Sequence, residues 1–355
     1  MLETLIDIVG DFELLAISGL LTGLIFGAAA QHSRFCLRAA TTEVAHGAFG
    51  SRMAIWLVAF FSALIATQLA ISSGLLDASQ SRQISAEGSL SGAVVGGLLF
   101  GAGMILARGC ASRLLVLSAT GNLRALLTGL IVTLVAQASL TGVLAPLREG
   151  ISMMVRVDGG EARDVMALMG ISRGGVFAFA GLGIVGAVWL AIRERIRLSR
   201  VLAAAILGLA VALGWCLTYA ISTTSFEIVP VGSVTFTGPS TDTLMTLVSS
   251  RSIVYSFGVG LVPGVFLGSM AAALLSHEWK IERFEPSLPM ERYIVGAIIR
   301  GFGAMLAGGC AVGAGVTGGA VMSLTAWVAV AFMWVGAMVT ELVLSNRASK
   351  DTQTA

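Results

Sequence analysis

GGLLFGAGMILARGCA at residues 96–111 and GAIIRGFGAMLAGGCA at 296–311 are two copies of one pattern. They are identical at Gly96/Gly296, Gly101/Gly301, Gly103/Gly303, Leu106/Leu306, Ala107/Ala307, Gly109/Gly309, Cys110/Cys310 and Ala111/Ala311. Each copy is an apolar run that gives way to glycine and then to a cysteine. A bilayer crossing takes roughly 20 apolar residues, and the runs at 90–107 and 292–307 fall short of that before the break. Short apolar pieces follow at 110–120 and 310–321. The pattern predicts membrane helices that stop partway and resume as half-helices, with a cysteine at each restart.

Working outward, FCLRAATT at 35–42 is echoed more weakly by WCLTYAIST at 215–223, which pairs Phe35 with Trp215 and Cys36 with Cys216. Further half-helices are expected at 35–46 and, more weakly, near 240–250. Apolar stretches long enough to cross, or nearly so, lie at 12–31, 53–76, 90–107, 123–145, 174–192, 201–221, 252–275, 292–307 and 322–345. The fold class is therefore an all-α polytopic membrane protein with about nine transmembrane helices and about four half-helices, in one transmembrane domain over 1–355. The first span pairs with the sixth and the third with the eighth, each five crossings apart, and an odd shift reverses direction through the bilayer. The halves, about 12–145 and 201–345, are thus expected to be inverted repeats joined by a connector helix at about 174–192. Transporters built this way hold substrate near the midplane at broken helices. The two cysteine offsets differ, which predicts an enlarged loop at 222–251.

Composition agrees. The chain has 355 residues, 56% of them hydrophobic and 12% charged, with mean hydropathy +0.90; soluble domains carry about 25% charged residues, so a soluble fold is excluded. A net charge of +2 without a basic stripe gives no nucleic-acid partner. The acidic start, MLETLIDIVGDFE at 1–13, lacks the basic n-region of a secretory signal, so the first apolar segment is expected to stay in the protein. Placing the N-terminus outside and the C-terminus in the cytoplasm of a bacterial inner membrane puts fifteen of the 22 Lys and Arg residues on the cytoplasmic side. Glycines at 19, 23 and 27, at 92, 96 and 101, and at 260, 264 and 268 mark helix faces suited to close packing.

The cysteines, at 36, 110, 216 and 310, form no C-x-x-C pair and no zinc-ligand set, so neither a metal nor another cofactor is expected. A lone cysteine in an apolar helix is usually a small hydrophobe. Cys36, Cys110 and Cys310 differ because each opens a half-helix, in HSRFC, ARGC and AGGC. There the free backbone N–H groups and the helix dipole favour an anion and a reactive thiol. Cys216 lacks the neighbouring glycines and basic residues. Arg34, Arg38, Arg108 and Arg113 flank Cys36 and Cys110, and a cation at membrane depth reads as functional unless it snorkels to the surface. Gln31, Gln68 and Gln137 read as interhelical hydrogen-bonders. The sequence alone leaves open a membrane thiol oxidoreductase and a channel or carrier for another sulfur or selenium anion.

HSRFCLRAA at 32–40, ARGCAS at 107–112 with GNLRALLTG at 121–129, and AGGCAVGAGVTGG at 307–319 resemble the YeeE/YedE sulfur-transport family over about residues 15–345. The resemblance implies nine membrane helices and four short ones in an hourglass with inverted internal symmetry. It also implies uptake of a small sulfur anion, thiosulfate foremost, with no enzymatic turnover. By motif the family's pathway cysteines map to Cys36, Cys110 and Cys310, and the implied mechanism passes thiosulfate between thiols through S–H contacts. The implied partner is a cytosolic TusA-like sulfur carrier. With the flanking cations, the expected pathway residues are Cys36, Cys110, Cys310, Arg38, Arg108 and Arg113. One departure stands out: the family's G-C-x-x-G is kept at 309–313 but reads GCASR at 109–113, with Arg113 in place of the second glycine.

Overall fold

Helix α1 (Asp11–Ser33) ends because Arg34 turns left-handed, with φ 55°, and its N–H closes on the Gln31 carbonyl at 3.2 Å. Cys36 is then extended and caps α2 (Leu37–Ala45). Helix α3 (Ser51–Ser72) starts against α2, whose Glu43 carboxylate accepts from the Arg52 and Met53 N–H groups at 3.0 Å each. This satisfies two amides that a helix start leaves free. A Cβ at Gly50 would sit 2.9 Å from that carboxylate, so glycine leaves the room the cap needs.

The computed structural model describes residues 6, 8–249, 254–282 and 290–354. The chain continues through α4 (Leu90–Leu106), α5 (Ala111–Ala119), α6 (Leu123–Leu140), the short α7 (Ala145–Ser152), α8 (Arg173–Arg193), α9 (Leu198–Thr224), α10 (Thr237–Ser249), α11 (Phe257–Leu275), α12 (Met290–Leu306) and α13 (Leu324–Thr354). Among the described residues nine segments are long and apolar enough to cross a membrane, with α1–α2, α4–α5 and α12 plus 311–318 each counted as one broken span. The only strands among them are β1 (Gly88–Ser89) and β2 (Arg156–Val157), which pair antiparallel. Residues 252 and 253 of the expected seventh span, together with Arg251 and Arg283, lie outside the described residues.

One detail departs from expectation. The piece after Cys310, Ala311–Gly318, is a π-helix rather than an α-helix. Glycines 313, 315 and 318 carry no side chains to hold it to the narrower α ladder, so it takes the wider i→i+5 one. Helix α9 runs unbroken through Cys216, across the span expected at 201–221, because no glycine or left-handed residue follows the cysteine. The enlarged loop holds an extended stretch over 225–236 and then α10, close to the short helix expected near 240–250.

Helices α1 and α11 form the closest pair. A methyl at Gly23 would strike the Leu261 carbonyl, and one at Gly264 the Leu20 carbonyl, so the glycine faces around 19–27 and 260–268 meet backbone to backbone. Helices α4 and α12 run antiparallel with reciprocal contacts. Gly96 meets Gly303 and Ala307, while their repeat counterparts Gly296, Gly103 and Ala107 meet in the same way. A second such relation places Gly101 of α4 against α13 and Gly301 of α12 against α6. Helices α6 and α8 present Leu126, Leu130, Leu134, Leu182, Val185 and Trp189 outward, as lipid-facing helices do.

At one face the turns meet through Asn122 Nδ2 on Glu282 Oε2 at 2.6 Å, and through Arg34 on Glu278 at 2.9 Å. At the opposite face the loop between α6 and α8 is pinned by the β1–β2 pair and by a bridge from Asp164 to Ser323.

Candidate substrate pathway

The three broken spans share one local geometry. The residue two positions before each cysteine is left-handed: Arg34 at φ 55°, Arg108 at φ 52° and Gly308 at φ 76°. Only at 308 is that residue a glycine, and left-handed arginine costs roughly 1–2 kcal/mol. Each cysteine then sits extended as the N-cap of the next piece, with φ −163°, −84° and −85° at Cys36, Cys110 and Cys310. The Cys310 sulfur accepts from the Gly313 N–H at 3.4 Å. The Cys36 and Cys110 thiols approach the amides of Ala39 and Arg113, also three residues on, without closing a bond of ordinary geometry. The N-terminus of each piece is thus aimed at a sulfur.

Cys36 and Cys110 come together. Their thiols face one another, Cys110 is fully buried, and its sulfur lies 3.3 Å from the Ser112 hydroxyl. Arg113 lies beside both thiols, Arg38 lies beside Cys36, and the Arg113 guanidinium donates to Gln31 Oε1 at 3.4 Å. Gln31 donates in turn to Glu278 at 3.0 Å, which also pairs with Arg34. The basic position that replaces a motif glycine therefore joins the thiol pair to the surface. A polar cavity of about 400 Å³ opens on the same face, lined by Arg52, Arg195, Arg197, Arg200 and Glu194.

Cys310 lies apart, toward the opposite face. Thr235 of the extended stretch places its hydroxyl 3.9 Å from the sulfur, and it packs so closely on Gly313 that no side chain fits there. Gly308, Ala307 and Leu306 floor a cavity of about 380 Å³ whose walls carry Arg82, Arg148, Arg156 and Arg163. Arg163 is only 7% exposed. Its guanidinium donates to the Ala86 carbonyl at 2.5 Å and to Thr325 Oγ1 at 2.6 Å, which leaves its buried Nε without a protein partner. Burial holds the Arg163 guanidinium pKa below its ordinary value, with nearby Arg82 adding to the effect.

Of the expected residues, Cys36, Cys110, Arg38 and Arg113 are gathered, and Cys310 lies apart from them beside Thr235. Arg108 is exposed, and among the described residues its side chain makes no hydrogen bond or ion pair. Cys216 is half-buried in α9, with no charged neighbour acting on it. Gln68 is satisfied across helices by the Ala320 carbonyl at 2.9 Å, whereas Gln137 bonds within its own helix to Thr141. Sequence reading missed Arg163, which looked like one charge in a mixed loop. It also passed over Arg300, buried in α12 at 1% exposure and bonded to the Gly109 carbonyl. The signal for Arg300 was present: it stands where the first copy of the repeat has Phe100, a cation in place of an apolar ring.

A family profile described as sulphur transport matches residues 32–339. The thiosulfate transporter TsuA of Escherichia coli (strain K12) is 26% identical over 347 residues, covering 90% of this chain and 92% of its own. The thiosulfate transporter TsuA of Spirochaeta thermophila is also 26% identical, over 346 residues, covering 93% of this chain and 99% of its own.

Proposed function

Because this chain belongs to the sulphur-transport family, we propose that it takes up thiosulfate across the bacterial inner membrane, along Cys310, Cys110 and Cys36 in that order. The observation that carries this reading is the repeated break: three times a left-handed residue precedes an N-capping cysteine whose sulfur meets the start of the next helical piece. A dianion leaving water needs donors at every step, because a bare charge at membrane depth is costly. Thiol S–H groups are weak donors, and conduction calls for sites strong enough to enter and weak enough to leave.

Basic cavities lie toward both ends of the thiol series, walled by Arg163 and its neighbours at the Cys310 end and by Arg52, Arg195, Arg197 and Arg200 at the other, where Arg113 and Arg38 stand beside Cys36. Arg108 adds an exposed cation at its break. Inverted repeats fit the reciprocal Gly96–Gly303 and Gly103–Gly296 contacts, since a two-fold axis in the membrane plane exchanges these pairs. With the N-terminus outside and the C-terminus cytoplasmic, the face bearing Arg34, Arg52, Arg195, Arg197 and Arg200 is cytoplasmic. A TusA-like carrier would receive sulfur there. Growth of a sulfate-uptake-deficient bacterial host on thiosulfate as sole sulfur source tests the reading. Growth that depends on this gene supports it, and no growth despite normal membrane insertion removes it.

A further inference from the structure

The guanidinium of Arg300 is enclosed in α12 without a counter-ion. It is 1% exposed, and among the described residues it makes no ion pair. Its one hydrogen bond goes to the Gly109 carbonyl, the residue directly before Cys110, and its Nε has no protein partner. The titratable groups nearest to it are the thiols of Cys110 and Cys310, and its bond to the Gly109 carbonyl sets it next to the second of the three breaks. At the equivalent point of the first half the chain has Phe100, fully buried. Packing at this point is therefore served by an apolar ring in one half, and the cation in the other needs a separate reason. An uncompensated buried charge is expensive, and such residues persist for function.

A second buried polar atom lies in the same place. Arg300 lines a cavity of about 200 Å³ together with Thr237, whose hydroxyl is also buried without a partner, and with Ser240 and Ser118. Thr237 is the first residue of α10, and Ser240 follows it one turn on along the same wall of the cavity. A water occupies about 30 Å³ of liquid, which leaves room for a tetrahedral oxyanion with some of its hydration. The remaining walls are mostly leucine, valine and phenylalanine, among them Leu126 and Leu130 at the outward edge of α6.

We propose that Arg300 and the Thr237 hydroxyl form the anion-binding site of the pathway between Cys110 and Cys310, with Arg300 the specificity-determining residue that admits oxyanions and rejects neutral or cationic solutes. The proposal rests on the transport reading above and names the residue that holds the charge of the passing anion midway. Thiols alone supply weak donors; here a guanidinium with an unused N–H and a hydroxyl supply the counter-charge. Placing that charge in one half alone makes the two directions through the inverted fold inequivalent.

The test uses the full chain purified in nanodiscs, with inorganic thiosulfate and sulfate as probes. The readouts are the thiosulfate-dependent rise in thermal midpoint and the uptake of labelled thiosulfate in proteoliposomes. Arg300→Met keeps the volume and removes the charge; without added anion its midpoint is expected to match or exceed that of the wild type, because an unpaired buried cation has been removed. Thiosulfate is expected to stabilise the wild type and not Arg300→Met, and uptake by the variant should fall by about tenfold or more. Arg300→Lys should recover part of both, and Thr237→Val should weaken thiosulfate binding by about tenfold. An Arg300→Met protein that thiosulfate stabilises and that transports as well as the wild type overturns the assignment while leaving the transport reading standing. A wild type that neither transports nor is stabilised by thiosulfate overturns both.

Discussion

The thiols of Cys36 and Cys110 face one another although they cap half-helices from different broken spans. Both are free, and Arg113 stands beside the pair. Two thiols this close form a disulfide when an oxidant such as diamide accepts their two hydrogens. We expect diamide to join Cys36 to Cys110, as read by mass spectrometry of the peptides, and to stop uptake until dithiothreitol restores it. Cys216→Ala should change neither result, since α9 holds that thiol away from the pair. Full uptake after complete Cys36–Cys110 bonding would show that the anion does not pass between these sulfurs.

Arg113 and Arg108 should separate in mutagenesis. Arg113 lies beside the thiol pair and donates to Gln31, while Arg108 is exposed. Hydrogen bonds to charged groups contribute about 1.5–3 kcal/mol, so Arg113→Gln is expected to lower uptake by about tenfold or more and Arg108→Gln by no more than about twofold. Arg113→Lys should recover only part, because lysine keeps the charge without the planar fork. Equal losses at the two positions would contradict the placement of Arg113 in the path.

Gly264→Ala inserts a methyl onto the Leu20 carbonyl at the α1–α11 contact. Overpacking of this kind costs typically 1–3 kcal/mol, so a thermal midpoint several degrees lower is expected. Gly129→Ala on α6, where a Cβ meets nothing within 4 Å, is the matched control and should be neutral. An unshifted midpoint for Gly264→Ala would mean that the two helices do not meet at their glycines.

Glu278 gives a pH signature outside the membrane. The hydrogen bond and charge of Arg34 hold its carboxyl below the ordinary glutamate pKa, and Gln31 and Arg200 add to this. Its latch to α1 is therefore complete above the ordinary carboxylate range and is lost as pH falls through the lowered value. The pair is two-fifths exposed, so its contribution is a fraction of a kcal/mol, within the ~0–1 kcal/mol of surface pairs. Compared with Glu278→Gln, the wild type should be slightly more stable at neutral pH, and the difference should shrink away as pH falls through the lowered glutamate value. A difference that grows on acidification would contradict the sign.

Much of the fold was legible because membrane helices declare themselves by length and apolarity, and the GLLFGAGMILARGC and AIIRGFGAMLAGGC copies marked the breaks. The three N-cap cysteines followed from the same pattern. What stayed hidden depends on partners distant in sequence. Nothing in AVGAGVTG says π rather than α until Thr235 and Val330 pack on its glycines. Arg163 became a cavity wall only when β1 and Thr325 closed around it. The nearness of Cys36 to Cys110 arises from packing between α1–α2 and α4–α5, which no local spacing encodes.

The central claim is that thiosulfate moves past Cys310, Cys110 and Cys36, held by donors rather than by covalent bonds. Initial uptake of sulfur-labelled thiosulfate by Cys→Ala and Cys→Ser variants at each position, at equal membrane protein levels, tests it most directly. The account predicts a sharp loss for Ala at 36, 110 or 310, partial retention for Ser because a hydroxyl still donates, and a near-silent Cys216→Ala. Normal uptake by all four Ala variants would contradict the thiol pathway, and Ser variants as inactive as Ala would point instead to covalent sulfur transfer.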